Sequence, residues 1–139
     1  MYFGESKIWA ASSPDLIHWK PEKLVLNPRK NNFDDALVEA GPPTILTEKG
    51  ILLLYNAKNK ESRSYSAGQA LFDNKDPTLL IGRADNAFIK PEEPYELTGQ
   101  YTAGTVFIEG LVYFKKKWFL YYGCADSHVA VAVYEPKNI

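Results

Sequence analysis

An aromatic-rich run is followed by an alanine-rich one three times in this chain. Met1-Tyr2-Phe3-Gly4 precedes Ile8-Trp9-Ala10-Ala11, Leu54-Tyr55-Asn56 precedes Ala67-Gly68-Gln69-Ala70, and Tyr121-Tyr122-Gly123 precedes Val129-Ala130-Val131-Ala132. Ala10, Ala70 and Ala130 fall sixty residues apart, somewhat above the roughly 40–50 residues of a propeller blade. One sheet unit repeated radially predicts a β-propeller. Such a fold gathers a residue from each blade at a central funnel, so function is expected where inner strands begin.

The 139 residues suit one domain able to bury a real core. Apolar residues at 45%, aromatics at 14%, nine prolines and nine glycines indicate a globular chain of many strands and turns. The formal net charge of −1, with both signs interspersed, gives no field to attract nucleic acid or an anionic membrane. Cys124 is the only cysteine, which excludes an internal disulfide and the common cysteine-based zinc sites; a buried thiol is expected. No run approaches about 18 apolar residues, the N-terminus does not read as a signal peptide, and nothing fixes a compartment. Met1 already falls in a strand without a partner before it, as though the chain were the C-terminal part of something longer.

Strand patterns are expected over residues 1–4 and 7–12, closed by Gly4-Glu5-Ser6, with Ser13 or Asp15 capping the exit and Leu16 and Trp19 returning to the core. Residues 24–26 give a short outer strand, and the Asn- and Asp-rich residues 27–35 a loop. Residues 38–46 and 51–57 form a hairpin around Thr47-Glu48-Lys49-Gly50. Residues 64–73 and 79–84 complete a four-stranded blade. Prolines 91 and 94 mark an extended crossing, and residues 105–114, 118–123 and 129–134 supply three further strands. Helix signals are nearly absent. The blade units run over about 1–26, 36–90 and 100–139, within one partial domain.

Three acidic residues stand out. Glu39 lies between Val38 and Ala40 and is followed by the stiff Gly41-Pro42-Pro43, so burial should raise its pKa toward the range useful for proton transfer; a structural hydrogen bond to the adjacent loop is the alternative. Glu109 interrupts the apolar run Val106-Phe107-Ile108-Glu109-Gly110-Leu111-Val112; a charge there needs compensation or an edge, and Gly110 marks a bulge or a close approach. Asp126 leaves a strand beside Ser127 and His128, but neighbours in a tight turn diverge, which excludes a triad; a hydrogen bond to a sugar hydroxyl and a turn aspartate satisfying backbone amides are the two readings. His18 and His128 are too isolated for a metal site, and Arg29, Lys58 and Arg83 lack a glycine-rich phosphate cradle.

Val38-Glu39-Ala40-Gly41-Pro42-Pro43, Leu53-Leu54-Tyr55-Asn56, residues 67–73 with Asp76-Pro77, and residues 121–126 together resemble the C-terminal half of glycoside hydrolase family 130. That family contains β-mannoside phosphorylases and β-1,2-mannosidases on a five-bladed propeller. The resemblance implies about two and a half blades here, and an all-β partial five-bladed β-propeller. It places Asp126 at a substrate-binding aspartate, with Tyr55, Asn56 and Tyr122 lining the site. Asn56 stands where phosphorylases usually carry a phosphate-binding histidine, which points to water as nucleophile. Glu39 resembles the hydrolase branch, and Glu109 supplies a second carboxyl for an inverting mechanism.

The resemblance thus implies a β-mannoside substrate and no metal or other cofactor. A phosphate-dependent phosphorylase and a catalytically empty sugar-binding fragment are the alternatives. The family's proton-donating aspartate and phosphate-binding arginines have no counterpart in this sequence. Unclosed blades leave edges free to pair with another chain, so a longer protein or self-association is expected.

Overall fold

The computed structural model describes residues 1–136. The chain is all-β, with strands in three antiparallel sheets. The first sheet holds β1 (Tyr2–Phe3), β2 (Ile8–Ser12) and β3 (Lys20–Leu26). The second holds β4 (Leu37–Ala40), β5 (Ile45–Thr47), β6 (Gly50–Lys58), β7 (Tyr65–Phe72) and β8 (Leu80–Arg83). One short helix, α1 (Pro94–Leu97), precedes the third sheet of β9 (Val106–Phe114), β10 (Lys117–Cys124) and β11 (His128–Tyr134).

Several local expectations change. The strand expected over residues 38–46 is two strands, because Gly41-Pro42-Pro43 breaks the ladder and two prolines offer no N–H to continue it. β3 begins at Lys20 rather than residue 24, accommodating Pro21 beside a register shift against β2. Leu16 does not return to the core: it sits at φ 61° and is exposed, while Asp15 closes the turn by accepting from the amides of Ile17 and His18. The expected extended crossing includes one helical turn. Pro94 supplies the pre-set φ of the first position, and Glu93 and Glu96 form a reciprocal capping box.

β6 explains how the sheets stack. Leu53, Tyr55 and Ala57 face a core shared with Ile8 and Leu26 of the first sheet; Leu54 faces a core shared with Val106, Ile108 and Leu120 of the third. A strand covered on both faces needs apolar side chains at successive positions, which is why Leu52-Leu53-Leu54 runs unbroken. Cys124 is a free thiol buried in the second core, and burial pushes its pKa up.

The alanine repeat puts one residue in each sheet, on β2, β7 and β11, but not in one register. Tyr2 faces Ala10 and Tyr122 faces Ala130, the same aromatic–alanine pair eight residues apart at both ends of the chain. In the middle sheet Ala70 faces Leu53, and the aromatic partner is Tyr55 opposite Gly68. A Cβ at Gly68 would collide with the Tyr55 ring and with Phe33. Gly68→Ala should therefore cost roughly 1–3 kcal/mol by overpacking, read as a lower urea midpoint with unchanged slope.

Candidate acidic site at the sheet seams

β4 alternates along its length. Val38 points into the core and is fully buried, so Glu39 points to the opposite side, where it is half-buried. Its cross-strand neighbour on β6 is Asn56. Asn56 is itself fully buried, and its amide behaves as a peptide group: Oδ1 accepts from the Ile108 N–H at 2.7 Å, and Nδ2 donates to the Ile108 carbonyl at 3.0 Å. One side chain thus ties the second sheet to β9. Ile108 is followed directly by Glu109, so two backbone registers connect the two carboxylates.

Glu109 is exposed because β9 is bulged at that point. Ile108 pairs with Tyr122 and Gly110 with Tyr121, leaving Glu109 as the extra residue between them. A bulge releases one residue from the pleat and re-aims its side chain. The compensation demanded by a charge in an apolar run is therefore solvent, not a buried partner.

A third carboxylate joins them, one that the sequence reading passed over. In the turn between β1 and β2, Gly4 adopts φ 123° and Ser6 φ 68°. Their carbonyls accept from the amides on either side of Glu39: Gly4 from Ala40 N–H at 3.3 Å, Ser6 from Val38 N–H at 3.2 Å. Glu5 lies between the two acceptors, as Glu39 lies between the two donors. Burial, reinforced by the negative charges of Glu5 and then Glu109, pushes the Glu39 carboxyl above the ordinary glutamate range. Glu5 was legible only as a turn residue, since its neighbour is a strand thirty-four positions away.

The remaining expected site residues lie elsewhere. Tyr55 and Tyr122 do not line an open surface. Tyr55 is fully buried, its hydroxyl donating to Asp34 Oδ2 at 2.8 Å and accepting from Arg83 Nε at 3.1 Å; burial pushes its pKa up to about 12. Tyr122 is buried and donates to Glu96 Oε1 at 2.7 Å. Asn56 is likewise fully buried, with its amide held by Ile108. Adjacent residues Tyr55 and Asn56 face opposite sides of β6 and could not share one pocket. Asp126 is exposed at φ 54° in the turn from β10 to β11, beyond the Cys124–His128 pair. Roughly 10 Å of strand separates that turn from Glu109.

Asp34 is a buried residue that sequence reasoning assigned to an open loop. It is fully buried and paired with Arg83 and Arg29, while Arg29 also reaches Asp85. Both arginines are thus committed to carboxylates. Lys58 lies over the rings of Tyr65 and Tyr101. A cleft of about 600 Å³ opens between the first two sheets, bounded by Ala40 to Pro43 on one side and by Tyr2, Ala10 and Ala11 on the other. It begins one residue past Glu39; Glu39, Glu109 and Asp126 do not line it.

An all-β frame that brings carboxylates from three sheets to adjoining seams fits the class of carbohydrate-active proteins working with paired acids. A family model described as beta-1,4-mannooligosaccharide phosphorylase matches residues 1–139, and the chain belongs to this family, glycoside hydrolase family 130. It is similar to a 1,2-beta-oligomannan phosphorylase of Thermoanaerobacter sp. (strain X514), at 36% identity over 95% of this chain and 44% of that protein. Among solved structures it matches a glycosyl hydrolase from Bacteroides ovatus with TM-score 0.94 and 54% identity, over 99% of this chain and 42% of that one. A third match has TM-score 0.95 and 51% identity over 99% of this chain and 43% of the other. That structure is described by the statement that the GH130 family of mannoside phosphorylases contains glycoside hydrolases that target beta-1,2 mannosidic linkages in Candida mannan. The chain spans less than half the length of each of these proteins.

Proposed function

We propose that the protein carrying this chain cleaves β-mannosides with water as the acceptor, and that Glu39 and Glu109 are carboxylates of an inverting site. The sheets are read as blade units over about 1–26, 36–90 and 100–139 of a five-bladed propeller. Glu39, with its raised affinity for a proton, acts as general base, for which a higher pKa gives a stronger base. Glu109 faces the same sugar, and Asp126 binds a hydroxyl from the neighbouring turn. Tyr55, Asn56 and Tyr122 support the site from the interior.

The observation that carries this reading is the sign of the charge around Glu39. Both charges acting on it are negative, and Arg29 and Arg83 are held by Asp34. Negative charge there raises the affinity of Glu39 for a proton, which suits a base that activates water. The similarity to structures described as hydrolases, at 51–54% identity, fits this choice. The phosphorylase reading, which the descriptions of the family model and of the curated relative support equally, is retained as the alternative.

Incubation with β-1,2-mannobiose in phosphate-free buffer should release mannose, seen first as the α-anomer by ¹H NMR. Cleavage that requires added phosphate and yields mannose 1-phosphate would establish the phosphorylase instead. Binding of the disaccharide without cleavage in either buffer would support a sugar-binding role.

A further inference from the structure

We propose that Glu5 is a positioning residue for Glu39, held beside it across the seam of the first two sheets so that its negative charge acts on the Glu39 carboxyl. This rests on the reading of Glu39 as the general base. The turn that carries Glu5 does more than pass near β4. Through the Gly4 and Ser6 carbonyls it takes up both amides flanking Glu39, so the backbone of Glu39 and the backbone of Glu5 move together. A like charge held near a carboxyl disfavours its ionisation.

Conformation enforces the arrangement. Gly4 has a φ open to glycine alone among ordinary residues, and a Cβ there would strike the Lys7 carbonyl. The turn therefore cannot swing Glu5 away without giving up its own geometry. The groups facing Glu39 are Glu5 from this turn, Glu109 from the β9 bulge and the neutral Asn56 from β6. Among the described residues the charges that act on it are these two carboxylates, Glu5 before Glu109. Glu5 thus keeps Glu39 protonated to a higher pH than Glu109 could alone, and the first sheet enters the acid–base chemistry without touching substrate.

The test reads the proton directly and does not depend on turnover. Glutamate side-chain carboxyl ¹³C resonances are followed by pH titration in the wild type, Glu5→Gln, Glu5→Ser, Glu5→Asp, Glu109→Gln and, as a remote control, Glu48→Gln. Glu39 should titrate at lower pH in both uncharged Glu5 variants, by more than in Glu109→Gln, with Glu5→Asp returning it toward the wild type and Glu48→Gln leaving it unmoved. Val38 and Ala40 amide shifts report whether the turn remains docked. An unchanged Glu39 titration in Glu5→Gln and Glu5→Ser with those amides in place overturns the proposal, as does an equal shift in Glu48→Gln. Loss of docking in both uncharged variants, with titration normal in Glu5→Asp, would show Glu5 to be only structural and overturn it too. An inactive Glu39→Gln enzyme bears on the base assignment alone, so the two claims fail separately.

Discussion

Glu39→Gln and Glu109→Gln should each lower kcat for β-mannoside cleavage by about 10²-fold or more, with KM changed little. The amide keeps the shape of the carboxyl and removes its capacity to take a proton. In the wild type the base works only when ionised, and its pKa lies above the ordinary glutamate range because of burial and the charges of Glu5 and Glu109. Activity should then fall on acidification at a pH above that range, and this limb should vanish from the residual rate of Glu39→Gln. The sign for stability is the reverse. A carboxyl whose folded pKa is raised binds its proton more tightly in the native state, so its penalty is absent below the unfolded pKa and complete above the folded one. Glu39→Gln should thus be no less stable than the wild type at neutral pH, measured by urea unfolding. Full turnover in both variants would leave the two glutamates structural.

The second large effect lies away from the acidic seam. Asp34→Ala should destabilise the fold by about 3–5 kcal/mol, because it leaves two guanidinium groups packed where their shared carboxylate had been. Asp34 is fully buried, and the Arg83 side chain keeps only 9% of its surface exposed. The same carboxylate receives the Tyr55 hydroxyl, so the loss spreads to the core strand β6. Denaturant unfolding gives the number directly. A change below about 1 kcal/mol would place the pair among weakly coupled surface ions.

The features legible from the sequence are those with a short period. Alternation and turn chemistry located the strands of β6, β7, β9, β10 and β11 to within a residue or two. The sixty-residue spacing put one alanine in each of three sheets, but register depends on hairpin length. The longer middle hairpin moved the aromatic partner from alanine to Gly68. At α1 the prolines were weighed for their effect on preceding residues, while the Glu93–Glu96 capping box, equally present in the letters, was not. Glu39 and Glu109 were visible as charges among apolar neighbours, and the bulge at Gly110 was anticipated.

What escaped depends on contacts distant in sequence. Asp34 sits in a run of Asn and Asp that resembles an open loop, and its arginine partner on β8 lies forty-nine residues on. Tyr55, Asn56 and Tyr122 bear polar groups that suit a ligand as well as they suit the interior. Only the partners decide: Asp34 and Arg83, Ile108, and Glu96. Glu5 needed knowledge that one hairpin turn docks along a strand of the next sheet.

Asn56 works as a gauge as well as a tether. Its amide fixes how far β6 stands from β9, and so, on the proposed assignment, the span between Glu39 and Glu109 that an attacking molecule would fit. A shorter or longer side chain at that one hidden position would change the aperture while leaving both acids intact. Adaptation to a bulkier or smaller acceptor could therefore begin inside the protein, at a residue the acceptor never meets.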